Sequence, residues 1–527
     1  MSRIVASPLL SVGFVVLAAF SAAAVVGTLW SPPPLTHDEF SYLLAAETFA
    51  GGRLANLPHP MGVHFESFHI LQQPMYVSKY PPLQGMFMAL GLLLGKVSAG
   101  VWISFALACG ASCWMLRAWV GPVWALVGGL VLALHPQLVS VWGTWLWGGA
   151  AAMIGGMLVY GALPRLLART NALASIMLGL GVSAFVLTRP YEGLAACVPA
   201  AALLAHDLFW RGRVLDGVRR LWPAAAVGAM AAAFLALYDY RTTGDPFTLP
   251  YTIYSEQYAG VPPLVFLPLA EATGTPNGSA AVSPHAAIRE FFAPGGFESR
   301  PYYERRTPAG FVRGLGEKLE IFWRFFALVA LPLPLLALPF VWRDRQVRFA
   351  AVGCTWFALA LAVETYEQRH YAAPGVALGL VVWVSCLRAV TRWRPVGRPV
   401  GVALFVGVLC VAFVEHGVMA RSFLERRARS PLMARPGIVA RLEAMGGRHL
   451  VVVRYGPRHN VHTEWVNNDA DIDAASVIWA REMDAAQNRA LVEYFEDRRV
   501  WLLTPDDLNA PLRPYPAAAW PDGAVSR

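Results

Sequence analysis

Long apolar runs alternate along the chain with short connections that are rich in arginine. A helix needs about 20 apolar residues to cross the hydrocarbon core of a bilayer. Runs of about this length predict about eleven membrane-spanning helices, near 9–29, 100–119, 122–140, 147–163, 172–187, 191–207, 222–238, 323–341, 348–364, 371–388 and 400–417. The shorter run 81–95 predicts an interfacial or re-entrant helix. We therefore expect a mainly α, polytopic membrane bundle whose first run is an uncleaved anchor.

The composition narrows the class of protein. Of 527 residues, 56% are hydrophobic and 15% are charged, and the mean hydropathy is +0.46. A polar surface cannot cover so many apolar residues, which excludes a cytosolic enzyme, a disordered chain and a disulfide scaffold. The six cysteines all lie in apolar stretches and are interpreted as small core residues.

The arginines predict the orientation of the bundle. A cytoplasmic N-terminus places most arginine clusters in short inner loops, as the positive-inside rule requires. Three segments then lie outside: the first loop 30–99, the second large loop 240–322 and the tail 418–527. We expect a multi-pass inner-membrane protein with a transmembrane domain over 1–417 and an extracytoplasmic C-terminal domain over 418–527.

The tail has the pattern of a small α/β unit. Apolar strands are predicted at 450–453 and 500–503, and an amphipathic helix is predicted at 485–495 between them. The fold class predicted for the whole chain is thus a helical membrane bundle with a small α/β domain at its C-terminal end.

Charges of both signs occur in tight turns on the predicted outer side. Arg189 and Glu192 share one turn, and the segment 364–371 forms another. Such turns are what a polar cavity opening outward needs. The alternative for each residue is an ordinary interfacial anchor or ion pair.

The segment after the first apolar run carries the sharpest local feature. Thr36 or Asp38 is expected to cap a helix that continues to about Ala50. On this helix Asp38 and Tyr42 lie on one face and the adjacent Glu39 points elsewhere. The structural alternative is that the acidic residues only complement the helix dipole.

The first loop ends in Ser78-Lys79-Tyr80 followed by Pro81-Pro82. A lysine directly before an interfacial helix lies at headgroup depth, where it could reach a lipid phosphate. An acidic residue after the first span, together with this loop ending, resembles the GT-C superfamily of membrane glycosyltransferases. The nearest branch contains the protein O-mannosyltransferases and the bacterial transferases that add aminoarabinose to lipid A. The resemblance covers the N-terminal two-fifths of the chain.

The resemblance implies roles for particular residues. The family's first-loop carboxylate, here Asp38 with Glu39 beside it, acts on the acceptor as a base or positions it. The family's lysine, here Lys79, binds the phosphate of the polyprenyl carrier. A loose match places further residues near phosphate, namely Arg369, His370 and Tyr371. The chain departs from the family pattern in having Ser78, and not an acidic residue, before the lysine.

Transfer of a sugar from a lipid phosphate needs a base for the acceptor and cations for the departing phosphate. Asp38 is the candidate base. The candidate cations are Lys79, Arg189, Arg241, Arg369 and His370. Acceptor or loop contacts are expected from His37, Tyr42, His64 and Tyr80. Inversion at the sugar carbon is expected because no second nucleophilic carboxylate is evident.

The histidines of the first loop raise the question of a metal. Their spacing is irregular and closes no ligand set, so no cofactor is assigned, and a divalent metal is the minor alternative. The predicted function is a glycosyltransferase that uses a polyprenyl-phosphate-linked sugar and an unknown glycan, lipid or protein acceptor. No nucleic-acid partner is expected. The alternatives are a transporter or flippase, against which the absence of a detectable repeat counts, and a scaffold that displays the tail.

Overall fold

The computed structural model describes residues 2–30, 33–210, 214–259, 261–269, 283–507 and 512–516. These residues form a mostly helical assembly, with a four-stranded sheet near the C-terminal end.

Seven helices of the described ranges are long and apolar enough to cross a membrane: Pro8–Leu29, Val97–Trp119, Gly149–Ala168, Pro190–Phe209, Gly217–Thr243, Arg369–Thr391 and Val400–Ala428. The shorter apolar helices are Leu83–Leu93, Pro122–Leu134 and Ala172–Val186. Arg345–Ala362 occupies the place of the predicted span 348–364. The chain is a multi-pass membrane protein, and the count of eleven spans stays a prediction.

Prolines break two of the predicted spans. The span expected over 323–341 is wrong as one helix: helix Pro308–Phe326 ends before Leu328, whose φ is 48°, and a 3₁₀ turn Leu333–Ala337 and a short helix Leu338–Val341 follow. The span expected over 122–140 is divided at His135, and Pro136–Val141 forms a separate short helix. A proline lacks the N–H of the helical ladder and clashes with the preceding turn, which explains the break before Pro136 and why no long helix resumes across Pro332, Pro334 and Pro339 after Leu328.

The first loop folds onto the end of the bundle. The predicted helix after the first span is confirmed as His37–Ala50. The short strands Ile70–Leu71 and Val77–Ser78 pair antiparallel. The remaining short helices of the two large loops are Gly62–Phe65, Pro250–Tyr254, Ser255–Ala259, Ala286–Phe292 and Arg300–Arg305. These loops cover the bundle end where the polar residues collect.

Gly156 allows a close contact with the segment Arg369–Gly375, which forms one wall of the site described below. A Cβ added to Gly156, in helix Gly149–Ala168, would lie 2.3 Å from the carbonyl oxygen of Pro374. The 3₁₀ segment Arg369–Gly375 therefore packs directly on the backbone of that helix. Small residues at such crossings allow membrane helices to approach closely.

The tail contains the sheet. Its strands lie in the order Val477–Arg481, Arg448–Val453, Arg498–Leu503 and Leu512–Pro514, with the first three parallel and the last antiparallel. Helices Arg435–Ala444 and Ala485–Tyr494 flank them. Both predicted strands and the predicted helix are therefore present.

The tail packs directly on the first loop. The Tyr76 hydroxyl donates to the Asn468 carbonyl at 3.0 Å, and Phe65 and Ile70 share a buried cluster with Leu450. Helix Val400–Ala428 also runs through the predicted domain boundary at 417 without a break. An extracytoplasmic domain over 418–527 stays a prediction.

Candidate functional site

A small hydrogen-bond network fixes the two halves of the first loop. The Ser41 hydroxyl donates to the His69 carbonyl at 2.6 Å and lies 2.7 Å from the Ser78 hydroxyl. The Lys79 N–H donates to the same carbonyl at 3.2 Å. Helix His37–Ala50 is therefore fastened to the strand that ends at Ser78, so that residues before Ser41 and after Ser78 face one space.

That space is a cavity of about 460 Å³, here called the polar cavity. Its walls come from the start of the first-loop helix, the segment after strand Val77–Ser78, the turn 188–192, the second large loop and the turn 364–371. The ionisable residues of these walls include Asp38, Lys79, Arg189, Glu192, Glu298, Glu364 and His370. The structure thus brings together polar residues that are far apart in the sequence.

Asp38 is oriented by an aromatic neighbour. The Tyr80 hydroxyl donates a short hydrogen bond to the Asp38 carboxylate. The ring of Tyr80 is stacked on that of Tyr42, with 4.6 Å between ring centres. Because stacking on Tyr42 fixes the ring of Tyr80, the hydrogen bond from Tyr80 also fixes the orientation of the Asp38 carboxylate.

Lys79 is a buried cation in an aromatic cage. Its side chain is 4% exposed, and its Nζ lies 4.5 Å from the ring centre of Tyr254 and 5.3 Å from those of Tyr80 and Tyr251. Burial lowers the pKa of Lys79 to about 8, while the carboxylates of Glu298 and Asp38 oppose this shift. Burial also raises the pKa of Glu298, against the effect of Lys79. A buried ammonium with incomplete compensation favours a bound anion.

Arg189 supplies a second cation on the same wall. Its Nη1 lies 3.5 Å from Glu192 Oε1, and its guanidinium lies 4.7 Å from the ring centre of Tyr371. Its positive charge contributes to the lowered pKa of Lys79. Two cations therefore act on one region of the polar cavity.

Histidines line the remaining wall. His37 is buried. Its ring centre lies 5.8 Å from that of His69 and 6.0 Å from that of His462. Within the described ranges no group of three or more histidine, cysteine or acidic side chains is placed to hold a metal ion.

Five predicted site residues do not line the polar cavity, and one of them, Tyr42, stacks directly behind it. Glu39 points away from Asp38, and its carboxylate oxygens accept from Arg427 Nη2 at 3.0 and 3.1 Å. Adjacent helical positions diverge by about 100°, which explains the separation. His64 is held by the carbonyls of Arg481 and Gln487, Arg241 is exposed at a helix end, and Arg369 faces a second pocket.

The other predicted residues do line the polar cavity, namely His37, Asp38, Lys79, Tyr80, Arg189, His370 and Tyr371, and Tyr42 stacks behind them. Sequence reasoning missed Glu298, Tyr251 and His462. No local pattern marks them, because each reaches the cavity from a loop or from the tail through long-range packing.

These features define a multi-pass helical membrane protein with a cation-lined cavity under its large loops. No family model matches the chain, and no curated protein does. Among solved structures, the archaeal oligosaccharyltransferase AglB from Archaeoglobus fulgidus, in complex with an inhibitory peptide and a dolichol-phosphate, matches with a TM-score of 0.51. Its identity is 11%, over 94% of this chain and 69% of that chain.

ArnT from Cupriavidus metallidurans, bound to undecaprenyl phosphate, matches with a TM-score of 0.48 and 13% identity, over 94% of this chain and 92% of that chain. At these identities the likeness is one of fold. The fold of the chain is therefore similar to that of AglB, in agreement with the resemblance seen in the sequence.

Proposed function

We propose that this protein is a glycosyltransferase that moves a sugar from a polyprenyl-phosphate carrier to an acceptor in the polar cavity. The observation that carries the proposal is that Asp38 and Lys79 line the same cavity. This reaction needs a carboxylate and a cation at one site. The carboxylate accepts the proton of the acceptor, and the cation binds the departing phosphate. The fold of the chain is similar to that of AglB, which was solved with a dolichol-phosphate.

Asp38 is the proposed general base. Its carboxylate is held by the Tyr80 hydroxyl, so it is aimed before the acceptor arrives. It accepts the acceptor's proton as the acceptor oxygen attacks the sugar carbon that bears the phosphate. Preorganised groups of this kind lower the barrier because they do not have to reorient during the reaction.

Lys79 and Arg189 are the proposed phosphate ligands. The Lys79 ammonium is buried among tyrosine rings, and the Arg189 guanidinium stacks on Tyr371. Negative charge develops on the leaving phosphate as the glycosidic bond breaks, and cations in a dry site stabilise it strongly. Tyr371 and His370 complete this wall in our proposal.

The reaction is a single displacement with inversion. The three other cavity carboxylates have basic neighbours: Glu192 faces Arg189, the charge of Glu298 acts on Lys79, and the charges of Lys318 and Arg189 act on Glu364. None of them is therefore offered as a nucleophile. We further propose that the cavity opens on the outer face of the inner membrane, with the acceptor entering beneath the tail.

The test is transfer by the purified chain in lipid nanodiscs. A panel of radiolabelled polyprenyl-phosphate sugars is incubated with membrane lipids and glycans as acceptors, and both labelled product and released polyprenyl phosphate are measured. We expect equal amounts of the two, and loss of both in Asp38→Asn and Lys79→Gln. The matched controls are Glu256→Gln and Lys96→Gln, both exposed, which should keep wild-type transfer. Movement of intact donor between leaflets without bond cleavage would instead establish a flippase.

A further inference from the structure

A second cavity of about 400 Å³ lies beside the polar cavity, between helices Pro308–Phe326 and Val400–Ala428. We call it the arginine pocket, after Arg324, Arg369 and Arg426 in its lining. The segment that begins at Arg369 separates the two cavities. His370 and Tyr371 face the polar cavity, whereas Arg369 faces the arginine pocket.

The acidic residues of the arginine pocket already have basic partners. Arg305, whose side chain is 4% exposed, contacts Glu367 and has its Nη2 3.3 Å from Glu317 Oε2. Arg324 Nη2 lies 2.7 Å from Glu320 Oε1.

Arg369 and Arg426 are left over from these pairs. Neither forms an ion pair with any residue that the structure describes. Counting Arg305, four arginines face the three glutamates of this pocket, which leaves an excess of one positive charge.

The interior of the pocket combines apolar and polar surface. The Arg369 guanidinium lies 5.9 Å from the ring centres of both Phe325 and Phe423. Gln137 is 4% exposed, and its Oε1 has no hydrogen-bond partner within the described ranges. A buried carbonyl oxygen without a partner costs free energy unless a donor from a ligand or a water pairs with it.

Exposed apolar side chains lie on one of the helices that line the pocket. Ile321 and Met419 belong to its lining. Further along helix Val400–Ala428, Val411, Val414 and Val418 are 51%, 66% and 62% exposed, on a helix that is apolar enough to cross a membrane. An acyl chain could lie against these valines while its headgroup occupies the pocket. A free anion has no acyl chain, so it would contact only the arginines and not the valines.

We infer that the arginine pocket binds the phosphate headgroup of an anionic membrane lipid. Arg369 and Arg426 donate charge-assisted hydrogen bonds to the phosphate. This site is distinct from the polar cavity, and the inference does not depend on the proposed transferase activity.

The test measures lipid binding to the delipidated full-length chain in detergent by native mass spectrometry. The probes are phosphatidylglycerol, phosphatidylcholine and inorganic phosphate. We expect phosphatidylglycerol to bind at least about tenfold more tightly than phosphatidylcholine, and the Arg369→Gln/Arg426→Gln variant to lose about tenfold in affinity for it. Arg421→Gln, on the same helix but 78% exposed and paired with Glu425, should bind like the wild type.

Two further measurements decide whether the bound anion is a lipid or free phosphate, and which of the two cavities binds it. Failure of inorganic phosphate to compete supports a lipid ligand, whereas competition at equal concentration overturns the lipid assignment. Lys79→Gln should keep phosphatidylglycerol binding, because Lys79 belongs to the other cavity. Loss of binding in Lys79→Gln, or retention in the double variant when gel filtration shows both to be folded, overturns the inference.

Discussion

The hydroxyl of Tyr80 donates a hydrogen bond to the carboxylate of Asp38, across 42 positions of the chain. The preceding residue, Lys79, points its ammonium into the same cavity. One short segment after strand Val77–Ser78 therefore supplies both the group that aims the carboxylate and the cation that faces it. The two proposed roles, acceptor activation and phosphate binding, are thus coupled through adjacent residues.

Tyr80→Phe tests the aiming of Asp38. The substitution keeps the ring stacked on Tyr42 but removes the hydrogen bond to the carboxylate. A hydrogen bond to a charged group contributes about 1.5–3 kcal/mol, so we expect kcat to fall by about tenfold or more. The KM for the donor should change little. Tyr494→Phe, in the tail, is the matched control, and an unchanged kcat in Tyr80→Phe would remove the aiming role.

The pH dependence of donor use should report Lys79. Its pKa is lowered to about 8, so the ammonium is charged below pH 8 and neutral above it. The kcat/KM for the donor should therefore decline on the alkaline side with a midpoint near pH 8, and not near the ordinary lysine value of 10.5. The same shift opposes folding at low pH, and this cost disappears as the pH rises from 8 to 10.5. A flat profile through pH 9 would contradict this assignment.

Glu298→Gln tests the residue that the sequence did not reveal. The Glu298 carboxylate raises the pKa of Lys79 against the effect of burial. Its neutralisation should move the alkaline limb of kcat/KM to a pH below 8, and Glu298→Asp should largely restore the limb. A loss of activity with an unmoved limb would instead indicate a different role for Glu298.

Glu39→Gln should act on stability and not on chemistry. Glu39 and Arg427 form a buried pair whose side chains are 2% and 9% exposed. Breaking one partner of such a pair costs about 3–5 kcal/mol, so the variant should unfold at a lower temperature in a thermal scan. The variant Glu39→Gln/Arg427→Met should recover part of the loss. If Glu39→Gln keeps the thermal stability of the wild type but loses transfer, Glu39 has a catalytic role and this assignment is wrong.

Short sequence patterns predicted the features that depend on neighbouring residues, namely the helices and their ends. Runs of apolar residues gave the long helices, and the acidic start of His37–Ala50 gave its N-terminus. The prolines after Leu328 divided a run that hydropathy alone joins together. Hydropathy counts apolar residues, but it does not register the missing N–H of a proline.

The composition of the site was less predictable than the fold. Asp38, Lys79 and Arg189 stood out because they are charged residues beside apolar runs, and they line one cavity. Arg369 stood out for the same reason but faces the arginine pocket, because consecutive residues of its 3₁₀ segment point to different sides. Glu298 and His462 were not foreseen, since loop and tail packing bring them in.

The central claim is that Asp38 performs chemistry on a donor that Lys79 holds. The most direct measurement separates donor binding from transfer in a single turnover of the purified chain in nanodiscs. Asp38→Asn should bind the polyprenyl-phosphate sugar with an affinity within about threefold of wild type and transfer it at least about a hundredfold more slowly, whereas Lys79→Gln should lose binding itself. Transfer by Asp38→Asn at the wild-type rate, or undiminished donor binding by Lys79→Gln, would contradict the account.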